Sequence, residues 1–333
     1  MTVNGPSKPT LAKQDYRPIA DLDTVVFSKV LDRDPDQIKI LLSACENVGF
    51  FYLDISDQYS TTMLDNLDKL NSVMKGWFDQ PDSVKRRELA ISMASHGYKP
   101  IGSQAGTHGG RDGWEVLKTG SFELAGRWGL APIVEDNYET FHNFQRQCHY
   151  VTRTLLDRLS NAMGLKGEQS LNRFHRSDCP SKSALAFLHY IPTDPTGENA
   201  GHNMHTDYGT LTLVFAPQRG LQALVPRTPG KTELAWQHVE PRPGCAIVNV
   251  ADALRFLTHD RLRSAVHQVH PLPGQDRYSV TYFLRPSDDT EIVDGEGQHI
   301  NVMDWYQKKN NMYEASYKSQ DRSLLIGGMY NGV

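Results

Sequence analysis

The 333-residue sequence predicts an α+β fold, with helices filling the N-terminal half and strands the C-terminal half. Two observations carry this. Three stretches before residue 165 repeat apolar residues at helical spacing. Between about residues 184 and 286 the chain breaks instead into short runs rich in Val, Thr, Phe and Tyr, bounded by Pro and Gly.

Taken in order, residues 1–15, with Gly5, Pro6 and Pro9, read as a loose lead-in. Ile38, Leu41, Leu42 and Cys45 share one face of a helix running from Asp36 to Val48, where Gly49 supplies the stop. Phe50-Phe51-Tyr52-Leu53 follows as a strand. Met63, Leu67, Leu70, Met74 and Trp77 mark a second helix, and this stripe reads as core rather than cofactor site. From His96 to Arg111 five glycines occur with no Gly-Lys-Ser/Thr, so the stretch reads as a flexible surface loop able to close over a ligand, not a phosphate loop. Phe141, Phe144, Cys148, Val151, Leu155, Leu159 and Met163 form the stripe of a third helix ending near Gly164. Leu185 to Ile191 is a strand entering a turn at Pro192. Further strands are Thr210–Phe215, Cys245–Val250, Ser264–Val269 and Arg277–Leu284, and a last helix begins at Val302. Gly327, Gly328 and Gly332 argue a mobile end. Without repeats or low-complexity linkers, the expected layout is one compact unit: a lead-in (1–15), a helical region with flanking strands (16–175), a strand region (176–320) and a tail (321–333).

Composition narrows the function. At 39% hydrophobic and 22% charged residues, the chain has the make-up of a soluble globular protein. A net charge of −4 shows no basic excess, so neither nucleic acid nor an anionic membrane is an expected partner. No apolar run reaches membrane-spanning length, and Met1 to Lys13 is too polar for a secretory signal. Cys45, Cys148, Cys179 and Cys245 lie far apart without Cys-x-x-Cys spacing, which suits reduced thiols and a cytoplasmic protein.

The chemistry concentrates late in the chain. His205 and Asp207, two residues apart, can turn to one side of an extended backbone. One more imidazole would complete two histidines and a carboxylate, the facial triad of non-haem Fe(II) oxygenases. His267 suits best: His202 has the wrong parity to share a face with Asp207, His259 sits in a polar turn-like cluster, and His270 falls on the opposite strand face. Along the last strand Arg277, Ser279, Thr281 and Phe283 share a face, and an arginine inside a β structure needs an anionic partner, best a carboxylate.

The combination His205-Thr206-Asp207, then His267 60 residues after Asp207, then Arg277-Tyr278-Ser279 resembles the iron- and 2-oxoglutarate-dependent dioxygenases of the isopenicillin N synthase-like family. Residues Asn249 to Thr258, Arg277 to Pro286 and Ala44 to Phe51 extend the likeness over about residues 15 to 320. The resemblance implies a double-stranded β-helix (jelly-roll) core over roughly residues 180–290, flanked by N-terminal helices and a C-terminal helix. It further implies Fe(II) held by His205, Asp207 and His267, with Arg277 and Ser279, aided by Tyr190, anchoring the distal carboxylate of 2-oxoglutarate. Ile191 separates Tyr190 from Pro192, where the family pattern often has proline directly after tyrosine. With O2 as co-substrate, decarboxylation to succinate would drive hydrogen abstraction from a small organic substrate, expected in specialised metabolism, leading to hydroxylation, desaturation or ring closure. Trp114, Phe283 and Leu324 are the expected substrate contacts, Leu324 in a tail stretch reaching Tyr330. Competing readings are an isopenicillin N synthase-like oxidase that dispenses with 2-oxoglutarate, a zinc hydrolase and a non-catalytic metal-binding barrel. The oligomeric state is left open.

Overall fold

The computed structural model describes residues 17–57, 61–88, 95–106, 110–192, 201–228, 230–271, 273–321 and 323–328. The 1–15 lead-in, Thr107 to Gly109, Tyr330 and Gly332 lie outside them. In chain order the strands are β1 (Thr24–Val26), β2 (Phe50–Asp54), β3 (Gly97–Lys99), β4 (Trp114–Gly120), β5 (Ala184–Tyr190), β6 (His202–His205), β7 (Leu211–Phe215), β8 (Leu221–Pro226), β9 (Leu234–His238), β10 (Cys245–Val250), β11 (His267–Val269) and β12 (Arg277–Leu284), with a hairpin β13 (Glu291–Val293) and β14 (His299–Asn301) beyond.

These strands form an eight-stranded sheet, β1-β2-β10-β7-β12-β5-β4-β3, and a four-stranded sheet, β6-β11-β8-β9. Pairing is antiparallel except between β1 and β2. One apolar cluster takes Trp114, Leu188 and Ile247 from the large sheet and Leu221, Ala223 and Val269 from the small one, so the two sheets face each other. This is the jelly-roll. Four strands of the large sheet come from before residue 175, so the N-terminal region is hydrogen-bonded into the core rather than only packed against it.

The other face of the large sheet is covered by helices. The Tyr138–Ala162 helix buries Phe141, Phe144, Cys148, Val151, Leu155 and Leu159, which cluster with Val280, Tyr282 and Leu284 of β12. The Thr61–Phe78 helix buries Met63, Leu70, Met74 and Trp77 in the same cluster, with Leu67 partly buried beside them. The Pro35–Asn47 helix is capped by the Asp34 carboxylate, which accepts from the backbone N–H groups of Asp36 and Gln37 at 3.0 Å each. It stops where expected because Gly49 takes φ +80°, and a Cβ there would lie 2.2 Å from the Arg263 carbonyl oxygen.

Three expectations need correction. The 96–111 stretch is not simply a surface loop: β3 pairs with β4, and Tyr98, Lys99 and Gln104 are buried, Lys99 in an ion pair with buried Asp112. The strand expected from Ser264 begins only at His267, because Ser264 turns its hydroxyl to Asp252 at 2.9 Å. The tail through Gly328 is tied down. The Ile326 carbonyl accepts from the Thr206 backbone N–H at 2.9 Å and the Gly328 carbonyl from Arg255. Among the described residues, no helix is long and apolar enough to cross a membrane.

Thr206, between two of the expected metal ligands, is also held by a buried ion pair. Lys309 of the Val302–Glu314 helix donates to Asp252 and, at 2.5 Å, to the Thr206 hydroxyl, and neither charged side chain reaches solvent. Burial lowers the Lys309 pKa and Asp252 works against that fall. Asp252→Ala leaves the ammonium buried without its partner, so urea unfolding should show a loss of about 3–5 kcal/mol, and Asp252→Leu with Lys309→Met should recover much of it.

Candidate active site

β6 and β11 lie side by side with His205 directly opposite His267, which brings the two rings to 4.3 Å between centroids. Asp207 follows β6 and turns its Oδ1 to 3.7 Å from His205 Nε2 and 3.8 Å from His267 Nε2. Those distances are too long for hydrogen bonds. One ligand atom from each residue lies within 4.8 Å of the other two, and all three side chains are buried.

The remaining atoms of the three side chains are committed elsewhere. Nδ1–H of His205 donates to the Asn203 carbonyl at 2.8 Å and that of His267 to the Ala265 carbonyl at 3.2 Å, which leaves each Nε2 lone pair facing the centre. Asp207 Oδ2 accepts from the Thr212 hydroxyl at 2.7 Å and the Asn249 amide at 2.9 Å. Burial would raise the Asp207 pKa, but His267, His205 and these two hydrogen bonds bring it down to about 2. Burial, reinforced by His267, depresses His205 to about 3. At neutral pH Asp207 is therefore an anion and His205 a neutral imidazole, the protonation states that a divalent metal requires of its ligands. This donor set fits iron.

Alternation along β12 places Arg277, Ser279, Thr281 and Phe283 on the wall of the same cavity. Arg277 is 3% exposed, donates to the Arg219 carbonyl at 3.1 Å and the Ser279 hydroxyl at 3.4 Å, and makes no ion pair among the described residues. Tyr190, opposite Arg277 in register, lies with its ring 5.1 Å from the guanidinium. Burial pushes the Tyr190 hydroxyl up to about 12, which keeps it a neutral donor. Trp114 and Phe283 also line the cavity. Leu324 does not: it is 48% exposed in a turn, while Ile326 points inward.

Three lining residues are not among the expected site residues, although the sequence leaves His202 beside the ligands or at the surface. His202 stacks between His205, at 4.1 Å, and Trp114, at 4.5 Å. Strand parity excluded it, but His202 pairs with Val269 and His205 with His267, three residues spanning two, and this bulge turns both histidines inward. Lys118 shares the inner face of β4 with Trp114 and Val116, a parity that was readable. Arg285 continues the β12 alternation one step past Phe283. A larger cavity, about 780 Å³ against about 100 Å³, runs past Arg146, His149 and Arg153. It contains no metal-binding cluster among the described residues, so chemistry rather than size selects the site.

Comparison with known proteins places the chain in a family. The profile of the 2OG-Fe(II) oxygenase superfamily matches residues 182–286, and that of the non-haem dioxygenase in morphine synthesis N-terminal region matches residues 18–127. "2-oxoglutarate-dependent dioxygenase FG08081" of Gibberella zeae is 44% identical over 322 residues, covering 95% of both chains. The chain belongs to the 2OG-Fe(II) oxygenase superfamily. "2-oxoglutarate-dependent dioxygenase gloE" of Glarea lozoyensis is 36% identical, covering 92% of this chain and 93% of that one. The fold is similar to that of a full-length Neurospora crassa protein solved in complex with alpha-KG, with a TM-score of 0.70 at 21% identity over 92% of this chain and 100% of that one. As a member of the superfamily the protein is an Fe(II)- and 2-oxoglutarate-dependent dioxygenase that uses O2. The relatives named 2-oxoglutarate-dependent dioxygenases favour this reading over an oxidase without 2-oxoglutarate, a zinc hydrolase or a non-catalytic barrel.

Behind the Arg277 end of the oxygenase sheet, a polar network fastens β4, β5 and β12 together. Glu115, opposite His189 in register, accepts from Lys85 at 2.7 Å, from Tyr98 and from His189 Nδ1 at 2.9 Å, while His189 Nε2 meets Asp276 at 2.7 Å. Burial alone would lower the His189 pKa, but Glu115 and Asp276 raise it above its usual value. Glu115 shifts the other way: burial would raise it, and His189, Lys85 and Tyr98 bring it below the usual range. The histidine contribution is therefore complete below about pH 6.5 and is lost as pH rises through the higher folded-state value. Urea unfolding at pH 6 and pH 9 should show a fall in stability for the wild type that His189→Gln reduces.

Proposed function

We propose that His205, Asp207 and His267 hold the iron, that Arg277 and Ser279, with Tyr190, receive the distal carboxylate of 2-oxoglutarate, and that the enzyme oxidises a C–H bond of a small organic molecule of specialised metabolism. The observation that supports this best is that one cavity holds both a metal-ready triad and a buried guanidinium with no ion pair among the described residues. Iron with bound 2-oxoglutarate supplies O2-dependent decarboxylation to succinate and, with it, the power to oxidise an unactivated C–H bond. Each side chain has a narrower task. Thr212 and Asn249 hold Asp207 so that one carboxylate oxygen stays turned to the histidines. Arg277 offers a planar fork for a carboxylate, and the neutral hydroxyls of Ser279 and Tyr190 add donors beside it. The Trp114–His202 stack and Phe283 form apolar walls that exclude water from the reacting carbon. Hydroxylation, desaturation and ring closure all begin with the same hydrogen abstraction, so the substrate pose decides among them. Four unpaired cysteines suit the reducing cytoplasm as its place of work.

Asp207→Ala removes one of three ligands. Succinate formation should be abolished, and the visible band that Fe(II) and 2-oxoglutarate give under nitrogen should be lost; retention of both in this variant would refute the ligand assignment. Arg277→Leu strands the co-substrate carboxylate in a dry site at a cost of about 3–5 kcal/mol, so the apparent KM for 2-oxoglutarate should rise by roughly two to four orders of magnitude. An unchanged KM would move the carboxylate site elsewhere.

A further inference from the structure

One buried cation in the cavity has no task in the reaction as described so far. Arg285 is 4% exposed and lines the cavity, following Arg277, Ser279, Thr281 and Phe283 on the inner face. Its guanidinium donates to the Lys182 carbonyl and, at 3.2 Å, to the Tyr208 hydroxyl. Its Nε–H is buried with no hydrogen-bond partner. Among the described residues it forms no ion pair, and Asp288, the acid that feels its charge, is instead 3.9 Å from Lys182. Tyr208, Phe283 and Tyr306 rings lie 4.5, 5.1 and 5.2 Å from the guanidinium carbon. Such faces stabilise a cation but accept none of its N–H bonds in the plane.

Charge makes the asymmetry plain. Among the described residues the cavity lining carries three permanent or potential cations, Lys118, Arg277 and Arg285, and a single carboxylate, Asp207. With Fe(II) present, a 2-oxoglutarate dianion and Asp207 balance the metal and Arg277. Lys118 adds a further positive charge when protonated, Arg285 is left over, and a buried charge without a counter-ion is costly. Its place is next to the reaction centre. The chain continues from Asp207 through Tyr208, which touches the guanidinium, to Gly209, where a Cβ would lie 2.9 Å from Arg285 Cγ and 2.5 Å from the Leu284 carbonyl oxygen. The small side chain of Ala186, opposite Thr281 in register, also lines the cavity. Asn310 and Gln104 add amide groups to the same wall, with no side-chain hydrogen bond to the described residues.

We infer that the substrate carries a carboxylate and that Arg285 binds it, fixing which carbon faces the metal. This rests on the iron and 2-oxoglutarate reading for the position of the reacting carbon. Arg285 acts as a specificity residue, distinct in place and partner from Arg277, which serves the co-substrate.

Acetate is small enough to enter any such cavity and serves as the probe. The Fe(II)–2-oxoglutarate complex of the wild type, held under nitrogen, is titrated with acetate and separately with acetamide, following the methyl signal by saturation-transfer NMR. Acetate should bind and acetamide should not compete. In Arg285→Met the acetate Kd should rise about ten- to a hundredfold, the loss expected for charge-assisted hydrogen bonds, whereas Arg285→Lys, which keeps the charge and the fold but not the fork, should fall between. Absence of acetate binding in the wild type, equal binding of acetamide, or an unchanged Kd in Arg285→Met each overturns the inference. The titration is repeated on metal-free Arg277→Leu protein, where Arg285 is the remaining cavity arginine. Acetate binding there that Arg285→Met abolishes, together with a wild type that gives no Fe(II)–2-oxoglutarate band, would sink the co-substrate reading and leave this one standing.

Discussion

A single large sheet must be buried on both faces, and most of the molecule follows from that requirement. On β12 the odd positions Arg277, Ser279, Thr281 and Phe283 look into the cavity, while Val280, Tyr282 and Leu284 pack under the Tyr138–Ala162 helix. Because side chains alternate with period two, slipping the register by one residue would drive an arginine into the helix-facing core and a leucine into the site. The helix layer therefore does more than stabilise. It fixes which face is inner, and so which residues can be chemical.

The small sheet contributes differently. It is four strands wide, and its β6–β11 edge carries the histidines opposite one another where the two sheets converge. The bulge between His267 and Val269 adds His202 to the inward set and stacks it on His205. Thr206, alternating outward between His205 and Asp207, goes to Lys309, Asp252 and the Ile326 carbonyl. The two residues that face the centre of the site are thus held by what the residue between them does on the other side. A C-terminal helix and tail far along the chain hold the ligand strand in place from outside.

How much of this could be read in the residues alone depended on range. Period-two and period-3.6 patterns are local, and they located the three long helices, β5, β7, β10 and β12, and the inward arginine and serine. The triad was legible because its spelling is local at His205 and Asp207 and the third histidine shares an inner strand face. What failed required knowledge of a partner strand. His202 stays outside the metal-ready cluster, but its place on the cavity wall beside His205 follows from a bulge that parity alone does not show. Ser264 was read as strand because its neighbours are β-formers, yet an acid twelve residues earlier takes its hydroxyl. The glycines from Gly97 onward suggested looseness, but Lys99 pairs with Asp112 just past Gly110, with its Nζ 3.7 Å from the Trp114 ring. Leu324 was placed by its proximity in sequence to a closing tail, but it lies in a turn and is exposed.

The polar interior of the cavity weakens the fold and has to be offset elsewhere. Arg277 and Arg285 are buried without carboxylates from the described residues, and a burial cost of that kind exceeds what a few neutral hydrogen bonds return. Two separate apolar clusters flank the cavity, one between the sheets and one beneath the helices, and their extent is what lets the protein keep such residues desolvated. Under this balance, filling the cavity relieves a penalty as well as adding contacts. On the proposed assignment, an anionic co-substrate at this end of β12 would remove the cost at Arg277, so the empty enzyme would be less stable than the loaded one and occupancy would be linked to folding through the same guanidinium.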